Sequence, residues 1–335
     1  MGSQFVDFNG DGHVDYLSAT FDGSPHISYG SKEGWSVPVR LKDAQGERIL
    51  ITSFWNYEAR QHQETSRAMS GDDVPKERCI SALAFDWDGD GDYDLLLGSY
   101  ENGHLYRQMN EGTNAAPKFT GKNIPVLAGK VPFAIEAKMT APRLVDWDND
   151  GDLDLIAGSF GDSYGKDTGG GVYLSRNLGK KGAPRFGPLE TLIEPSKKGQ
   201  NAPTRPDAGL YVDAADYDGD GDLDLIVGGY SMWMPKQRQL TEEDQATVGK
   251  LQSEQKEAVA ARTAISNKMM AEIKEALAGK DMGSPEGRKI SSEVRAKYGK
   301  DLAPLNKSIR ELSKELQKLV PGKQRASYVW LYERR

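Results

Sequence analysis

Residues 86–94 read DWDGDGDYD. The same nine-residue pattern, Asp-x-(Asp/Asn)-x-Asp-Gly-x-x-Asp, returns as DWDNDGDLD at 146–154 and DYDGDGDLD at 216–224, with a looser copy, DFNGDGHVD, at 7–15. Four copies make a repeat, and a repeat decides the architecture before any single element does. Each copy is followed by a segment of strand character, in chain order YLSAT, LLLGSY, LIAGSF and LIVGGY. The last three copies are also preceded by short apolar segments, ISALAF from 80, APRLV from 141 and GLYVDAA from 209. The loops therefore join paired strands. A third strand follows in each unit (HISYG, HLYRQMNEG, VYLSRNLG, YVWLYERR) with the alternation of a half-buried strand. Units two and three add an N-x-G…A-P-x-F spacer before a fourth candidate strand. Motif starts lie 79, 60 and 70 residues apart, so each unit is one antiparallel sheet of up to four strands. Radial packing of such sheets predicts an all-β fold, a β-propeller of at least four blades.

Two stretches break the repeat. Residues 43–79 are too long for a connection and too short for a blade, and SFWNYEARQH within them reads as an exposed excursion. From about 235 to 324 the composition turns to Glu, Lys, Gln, Ala and Leu with helical period. Val248, Leu251, Ile265, Met269, Ile273 and Leu277 mark one arm, and Leu302, Leu305, Ile309, Leu312, Leu316 and Leu319 the other. An antiparallel helical hairpin, coiled-coil-like, inserted between the second and third strands of the last unit, fits this pattern. Thr241 with Asp244 makes a capping box, Gly279 to Gly287 the turn, and Pro321-Gly322 the end, while Gly299 and Pro304 are expected to kink or split the second arm. The predicted domains are thus 1–234 with 325–335, the repeats, and 235–324, the hairpin, whose leucine stripe is expected to be its own core.

The loops have the chemistry of a hard divalent cation, which takes six to eight oxygens at about 2.3–2.6 Å. Positions 1, 3, 5 and 9 supply side-chain oxygens: Asp7, Asn9, Asp11 and Asp15; Asp86, Asp88, Asp90 and Asp94; Asp146, Asp148, Asp150 and Asp154; Asp216, Asp218, Asp220 and Asp224. Position 7, occupied by His13, Asp92, Asp152 and Asp222, is expected to contribute through its backbone carbonyl, so the His13 imidazole is not required. Glycine at position 6 (Gly12, Gly91, Gly151, Gly221) permits the sharp bend. Up to four Ca2+ ions are expected. An EF-hand shares the opening of this motif but needs an acidic twelfth residue, where this chain has Ser18, Leu97, Ala157 and Val227. The plain alternative is an Asp-Gly-rich hairpin turn that holds no ion.

Composition excludes other classes. A net charge of −7 with no basic stripe argues against nucleic-acid binding, and four divalent ions would nearly neutralise it. Cys79 is the single cysteine, so neither an internal disulfide nor a thiolate cluster is available, and it reads as a small buried hydrophobe. No apolar run is long enough to span a membrane, and Met1 is not followed by a signal peptide.

At the four loops and the LLLGS, LIAGS and LIVGG segments after them the chain resembles the FG-GAP/VCBS repeat family, the calcium-loop propeller repeats of integrin α-subunits, although the Phe-Gly of the family name is replaced. The layout looks like that of secreted bacterial members. The resemblance implies a propeller, calcium in the loop between the first two strands of each blade, and a secreted, periplasmic or cell-surface location whose export signal lies outside this sequence. Unit one begins six residues before its loop and unit four stops at its third strand. That leaves either an incomplete ring or part of a longer propeller, and the second is expected. The function expected is a non-catalytic binding or adhesion module for a glycan or protein, with the hairpin docking a partner or self-associating. The alternative is a polysaccharide lyase acting on an acidic glycan, for which Tyr57, Arg60, His62 and Arg67 supply the residue types. Trp55 and Trp233 could stack on sugars, and Trp87 and Trp147 are expected to cover neighbouring blades.

Overall fold

Each Asp-rich loop closes a β-hairpin, and its outgoing strand starts at the last Asp of the motif. After the second and third loops that strand is buried on both faces throughout, at Asp94–Ser99 and Asp154–Gly158. The computed structural model describes residues 2–57, 59–65, 67–69, 75–135, 141–161, 168–197, 205–280 and 285–334. Sheet 1 runs β1 (Ser3–Val6), β2 (Asp15–Ala19), β3 (Pro25–Ser28), β4 (Val39–Arg40), and a separate hairpin, β5 (Ser53–Asn56) with β6 (Gln61–Glu64), follows it. Sheet 2 holds β7 (Cys79–Phe85), β8 (Asp94–Ser99), β9 (Leu105–Gln108) and β10 (Ile124–Pro125), before a small ribbon of β11 (Leu127–Ala128) and β12 (Val131–Pro132). Sheet 3 holds β13 (Arg143–Val145), β14 (Asp154–Gly158), β15 (Val172–Ser175) and β16 (Glu190–Ile193). Sheet 4 joins β17 (Ala208–Ala215) and β18 (Asp224–Trp233) to β19 (Gln324–Tyr332), which follows helices α1 (Glu242–Leu277) and α2 (Pro285–Leu319). The fold is mostly β, in separate antiparallel sheets with two helices. Sheet 4 has three strands where its sisters have four.

Consecutive sheets share their cores. Leu17, Ala19 and Ile27 of sheet 1 pack with Ala82, Ala84, Leu95 and Leu97 of sheet 2. Leu83, Leu96 and Leu105, on the opposite face of sheet 2, pack with Leu155 and Ala157 of sheet 3. Ile156, Val172 and Leu174 then meet Leu210, Val212, Leu225 and Val227 of sheet 4. The two-residue period thus divides one strand, Leu95-Leu96-Leu97, between two neighbours. Burying each such leucine stabilises the unit by roughly 1.5–3 kcal/mol. The first strands also touch one another: the Gln4 amide receives the Ala84 N–H at 2.7 Å and donates to the Ala84 carbonyl at 3.3 Å, and Arg143 donates to the Ser3 carbonyl at 2.6 Å.

The reading of 43–79 as an exposed excursion is corrected. Ile49, Leu50, Ile51 and Ala68 are buried, and Ile49 and Ile51 belong to the core shared by sheets 1 and 2. The short apolar run at 49–51 anchors the segment, while Ala44 to Glu47 and most of β6 are exposed. Cys79 is buried in that same core, and burial raises its thiol far above the ordinary range.

The chain divides into two compact units, Met1–Trp233 with Arg325–Arg335, and Met234–Gln324. In the second, Thr241 caps α1 and the full capping box with Asp244 forms, reinforced by Arg238 on the Asp244 carboxylate at 2.8 and 2.9 Å. The helices run antiparallel, since Gln255 bonds Ser313 and Glu272 pairs with Lys297. The turn residues 281–284 lie outside the described residues. The expected split at Gly299 and Pro304 is corrected: α2 is one helix with Pro304 inside it. The carbonyl that Pro304 leaves without an amide is that of Lys300, an exposed residue, where water can take the bond. Of the stripe, Ile273 and Leu277 are fully buried together with Val294, while the remaining leucines are half-buried along the seam, as two helices enclose their core only partly.

Candidate metal centres

The loop backbone repeats at every copy. Gly12, Gly91, Gly151 and Gly221 at position 6 have φ of +86, +95, +92 and +95°, a region closed to most side chains. Position 4 is left-handed too, at Gly10, Gly89, Asn149 and Gly219, and the third loop uses asparagine there, the residue best able to replace glycine. The position-5 carboxylates of Asp11, Asp90, Asp150 and Asp220 each accept the amide of position 7 at 2.9–3.0 Å, which turns the loop inward. In loops 1, 3 and 4 the position-6 amide donates to the position-1 carboxylate of Asp7, Asp146 or Asp216.

These turns gather three carboxylates in each of three loops. Ligand oxygens of Asp86, Asp88 and Asp90, of Asp146, Asp148 and Asp150, and of Asp216, Asp218 and Asp220 all lie within 4.8 Å of one another. Oxygens around one calcium, each about 2.4 Å from it, cannot be more than about 4.8 Å apart, so the triplets fit a single ion of that size. The first loop presents Asp7, Asn9 and Asp11. There Asn9 donates to Asp11 at 2.9 Å, and this bond, with the His13 amide, holds the Asp11 carboxyl below its ordinary value. In the third loop Arg176 forms an ion pair with Asp148 at 2.6 Å, whereas in the second loop Arg107 acts on Asp88 through its charge.

Position 9 does something the sequence did not reveal. The carboxylates of Asp15, Asp94, Asp154 and Asp224 are buried, and the side chains of positions 7 and 9 do not join the 4.8 Å sets. One oxygen accepts the amide of position 2 (Phe8, Trp87, Trp147, Tyr217), each at 3.0 Å. The other accepts an amide just past the third strand (Gly30, Asn110, Asn177, Arg334), at 2.6–2.9 Å. One side chain therefore locks loop, second strand and third strand together, through bonds to a charged acceptor that are each worth about 1.5–3 kcal/mol. Burial raises the Asp94 carboxyl to about 6 against the pull of its two amide bonds, and the neighbouring charges of Asp88 and Asp92 add to the rise. Asp154 is raised for the same reasons. A cation in the adjoining triplet would relieve this crowding.

Of the residue types noted for a lyase, Tyr57, Arg60 and His62 lie on or beside the β5–β6 hairpin. Arg67 is paired with Asp43 at 2.7 Å, His62 packs edge-on against Trp55 at 4.9 Å between ring centres, and Tyr57 is exposed. Trp87 meets Phe186 of sheet 3, and Trp147 lies beneath Arg334 of sheet 4, the expected covering roles. An aromatic row went unread in the sequence. Phe21, Tyr100, Phe160 and Tyr230 each lie six residues after the last Asp of their motif, toward the end of the second strand remote from the Asp loops, and their rings meet edge to face at 6.5, 6.2 and 6.4 Å. Arg78 and Arg325 lie over Tyr100 and Tyr230. The signal was available in the aligned LLLGSY, LIAGSF and LIVGGY segments.

A family model described as FG-GAP-like repeat matches residues 86–157 and, overlapping them, 146–227. The loops at 86, 146 and 216 all fall inside the matched region. No curated protein matches the chain.

Proposed function

From its membership of the FG-GAP repeat family, we propose that this chain is a calcium-braced, propeller-type binding module, without catalysis, that presents the ends of its sheets to a glycan or protein. The observation that carries this reading is the recurrence of a carboxylate triplet within 4.8 Å at the same place in three consecutive sheets. The Asp86, Asp146 and Asp216 loops would each hold one ion through positions 1, 3 and 5, with Asp7, Asn9 and Asp11 forming a weaker fourth site. The ion supplies neutralising charge and a rigid loop, and the position-9 aspartate transmits that rigidity to the strands. Loops of this ligand type in extracellular modules bind at about 10⁻⁴ to 10⁻³ M, which suits an exported protein. The aromatic row with Arg78 and Arg325 is the surface that best suits a ligand, since aromatic faces and guanidinium groups recognise sugars and polar chains alike. No helix among the described residues is long and apolar enough to cross a membrane.

Calorimetric titration with calcium tests the reading. It should give at least three ions per chain, falling by one in Asp90→Ala. A chain that takes up no calcium at millimolar concentration would overturn it.

A further inference from the structure

Neighbouring sheets meet by a rule that repeats along the chain. The residue directly after the last Asp of the motif faces the preceding sheet: Leu95, Leu155 and Leu225 are buried in the cores shared with sheets 1, 2 and 3. The aromatic at loop position 2 faces the following sheet and is covered by the stretch after that sheet's third strand. Phe119 packs on Phe8 at 6.4 Å, Phe186 on Trp87 at 6.0 Å, and Arg334 lies 4.9 Å from the Trp147 ring centre.

The two end sheets leave this rule half used. In sheet 1 the residue after the last Asp is Tyr16, which is 36% exposed and leans on Phe5, itself 61% exposed. The stretch after β3 carries Trp35, at the topological place of Phe119 and Phe186, and it stands 61% exposed against Phe5 at 5.9 Å. In sheet 4 the loop aromatic is Tyr217, 67% exposed, and Val329 on β19 is 75% exposed. Among the described residues each core cluster of the sheet unit joins consecutive sheets, and none joins sheet 4 to sheet 1. Sheet 1 thus carries a cover without a seat, and sheet 4 a seat without a cover.

We propose that a second copy of this chain docks head to tail, its sheet 1 on sheet 4, with Trp35 seated on Tyr217 and Phe5 and Tyr16 against the face that bears Val329. The contact continues the interface already made three times within the chain, and the two exposed faces are the two halves of that interface. Such a contact is heterologous, so it either closes or propagates. Closure of two copies would give about eight sheets, inside the four-to-eight range in which such sheets form a ring. Only that closure rests on the propeller reading above. A face of four five-residue strands spans about 19 by 17 Å. Two such contacts come to about 600 Å² per copy, against ~800 Å² per partner in a standard complex.

Sedimentation velocity in calcium, from about 1 to about 100 µM, covers contacts of micromolar affinity. The expected result is a dimer. Phe5→Asp and Val329→Asp, both surface changes, should each weaken association at least tenfold while the parent's ellipticity and melting temperature are kept. Mixing the two variants should yield a one-to-one pair through the single contact that remains intact. A parent that stays monomeric throughout, or an association weakened by only one of the two variants, overturns the proposal. A ladder of trimers and longer species with the same dependence on both variants supports the contact and instead sinks the closed ring.

Discussion

The sheet unit and the helical hairpin are held together in opposite ways. Leu83, Leu96 and Leu155 meet across sheets, and Gln4 bonds to Ala84 eighty residues away, so the sheet unit exists only when distant segments have assembled. It also crowds carboxylates into loops at its edge. The hairpin relies on bonds within each helix, a capping box, and cross-helix pairs such as Glu272 with Lys297 and Tyr298. Its buried residues are few, Ile273 and Leu277 of α1 and Gly287, Ser291 and Val294 of α2, and the remaining leucines of the seam are half-buried. The difference teaches that charge neutralisation should govern one unit and hardly touch the other. All six tryptophans lie in the sheet unit, so emission reports that unit while helical ellipticity reports mainly the hairpin.

The comparison breaks most completely if the hairpin is removed. Replacing residues 237–322 with a short Gly/Ser linker should abolish most helical ellipticity yet leave the tryptophan-detected melting within about 3 °C, the equivalent of ~1 kcal/mol, because β18 and β19 are paired neighbours. An unfolded product would mean that the hairpin belongs to the sheet core. Next in size, Leu96→Ala, at a fully buried position between sheets 2 and 3, should cost the sheet unit about 2–5 kcal/mol in denaturant titration. Leu312→Ala in the half-buried seam should cost less, and equal losses would erase the distinction. Within the loops, Asp88→Ala should lower the calcium-bound melting temperature more than Asp148→Ala, since Asp148 already has Arg176 beside it. Asn9→Ala should matter least of the three.

The smallest expected effect is a pH dependence in the sheet unit that the hairpin does not share. Buried Glu77 accepts bonds from Asn102, Tyr106 and His104. Burial alone would raise its carboxyl, but those three bonds outweigh it and bring it below 4.5. The bond to Glu77 raises His104 above 6.5. A raised histidine contributes stability that is complete below 6.5 and is lost as pH climbs through its folded value, whereas the lowered Glu77 contributes above 4.5 and is lost as pH falls through its own. In saturating calcium, tryptophan-detected stability should therefore decline on the alkaline side, and His104→Gln should flatten that limb. An unchanged limb would show that the pair is not what titrates.

Much of this was legible before any coordinates. The Asp repeat, the strands that follow it and the Thr241 cap are encoded within a few residues, where spacing alone carries the physics. What stayed hidden depends on partners far along the chain. In the sequence Asp94 reads only as one more ligand; that its carboxylate also accepts the Trp87 amide, and that of Asn110 outside the motif, does not follow from the motif's own spacing. Two-residue strands such as Val39–Arg40 are too short to show a period. The apolar run at 49–51 resembled loop until it was found inside a core built by two sheets. Pro304 reads as a break because the sequence does not show that the carbonyl it leaves without an amide belongs to an exposed residue, Lys300, where water can take the bond.

On the proposed reading, cations in the Asp loops hold the sheet unit together and leave the hairpin to itself. Thermal melting followed at once by tryptophan emission and by helical ellipticity, in millimolar calcium and then in excess chelator, tests it most directly. Chelation should lower the tryptophan transition by about 5 °C or more, as loss of a ligand that binds only the native state requires, while the helical transition stays where it was. Tryptophan melting curves that superimpose in calcium and in chelator would contradict the account.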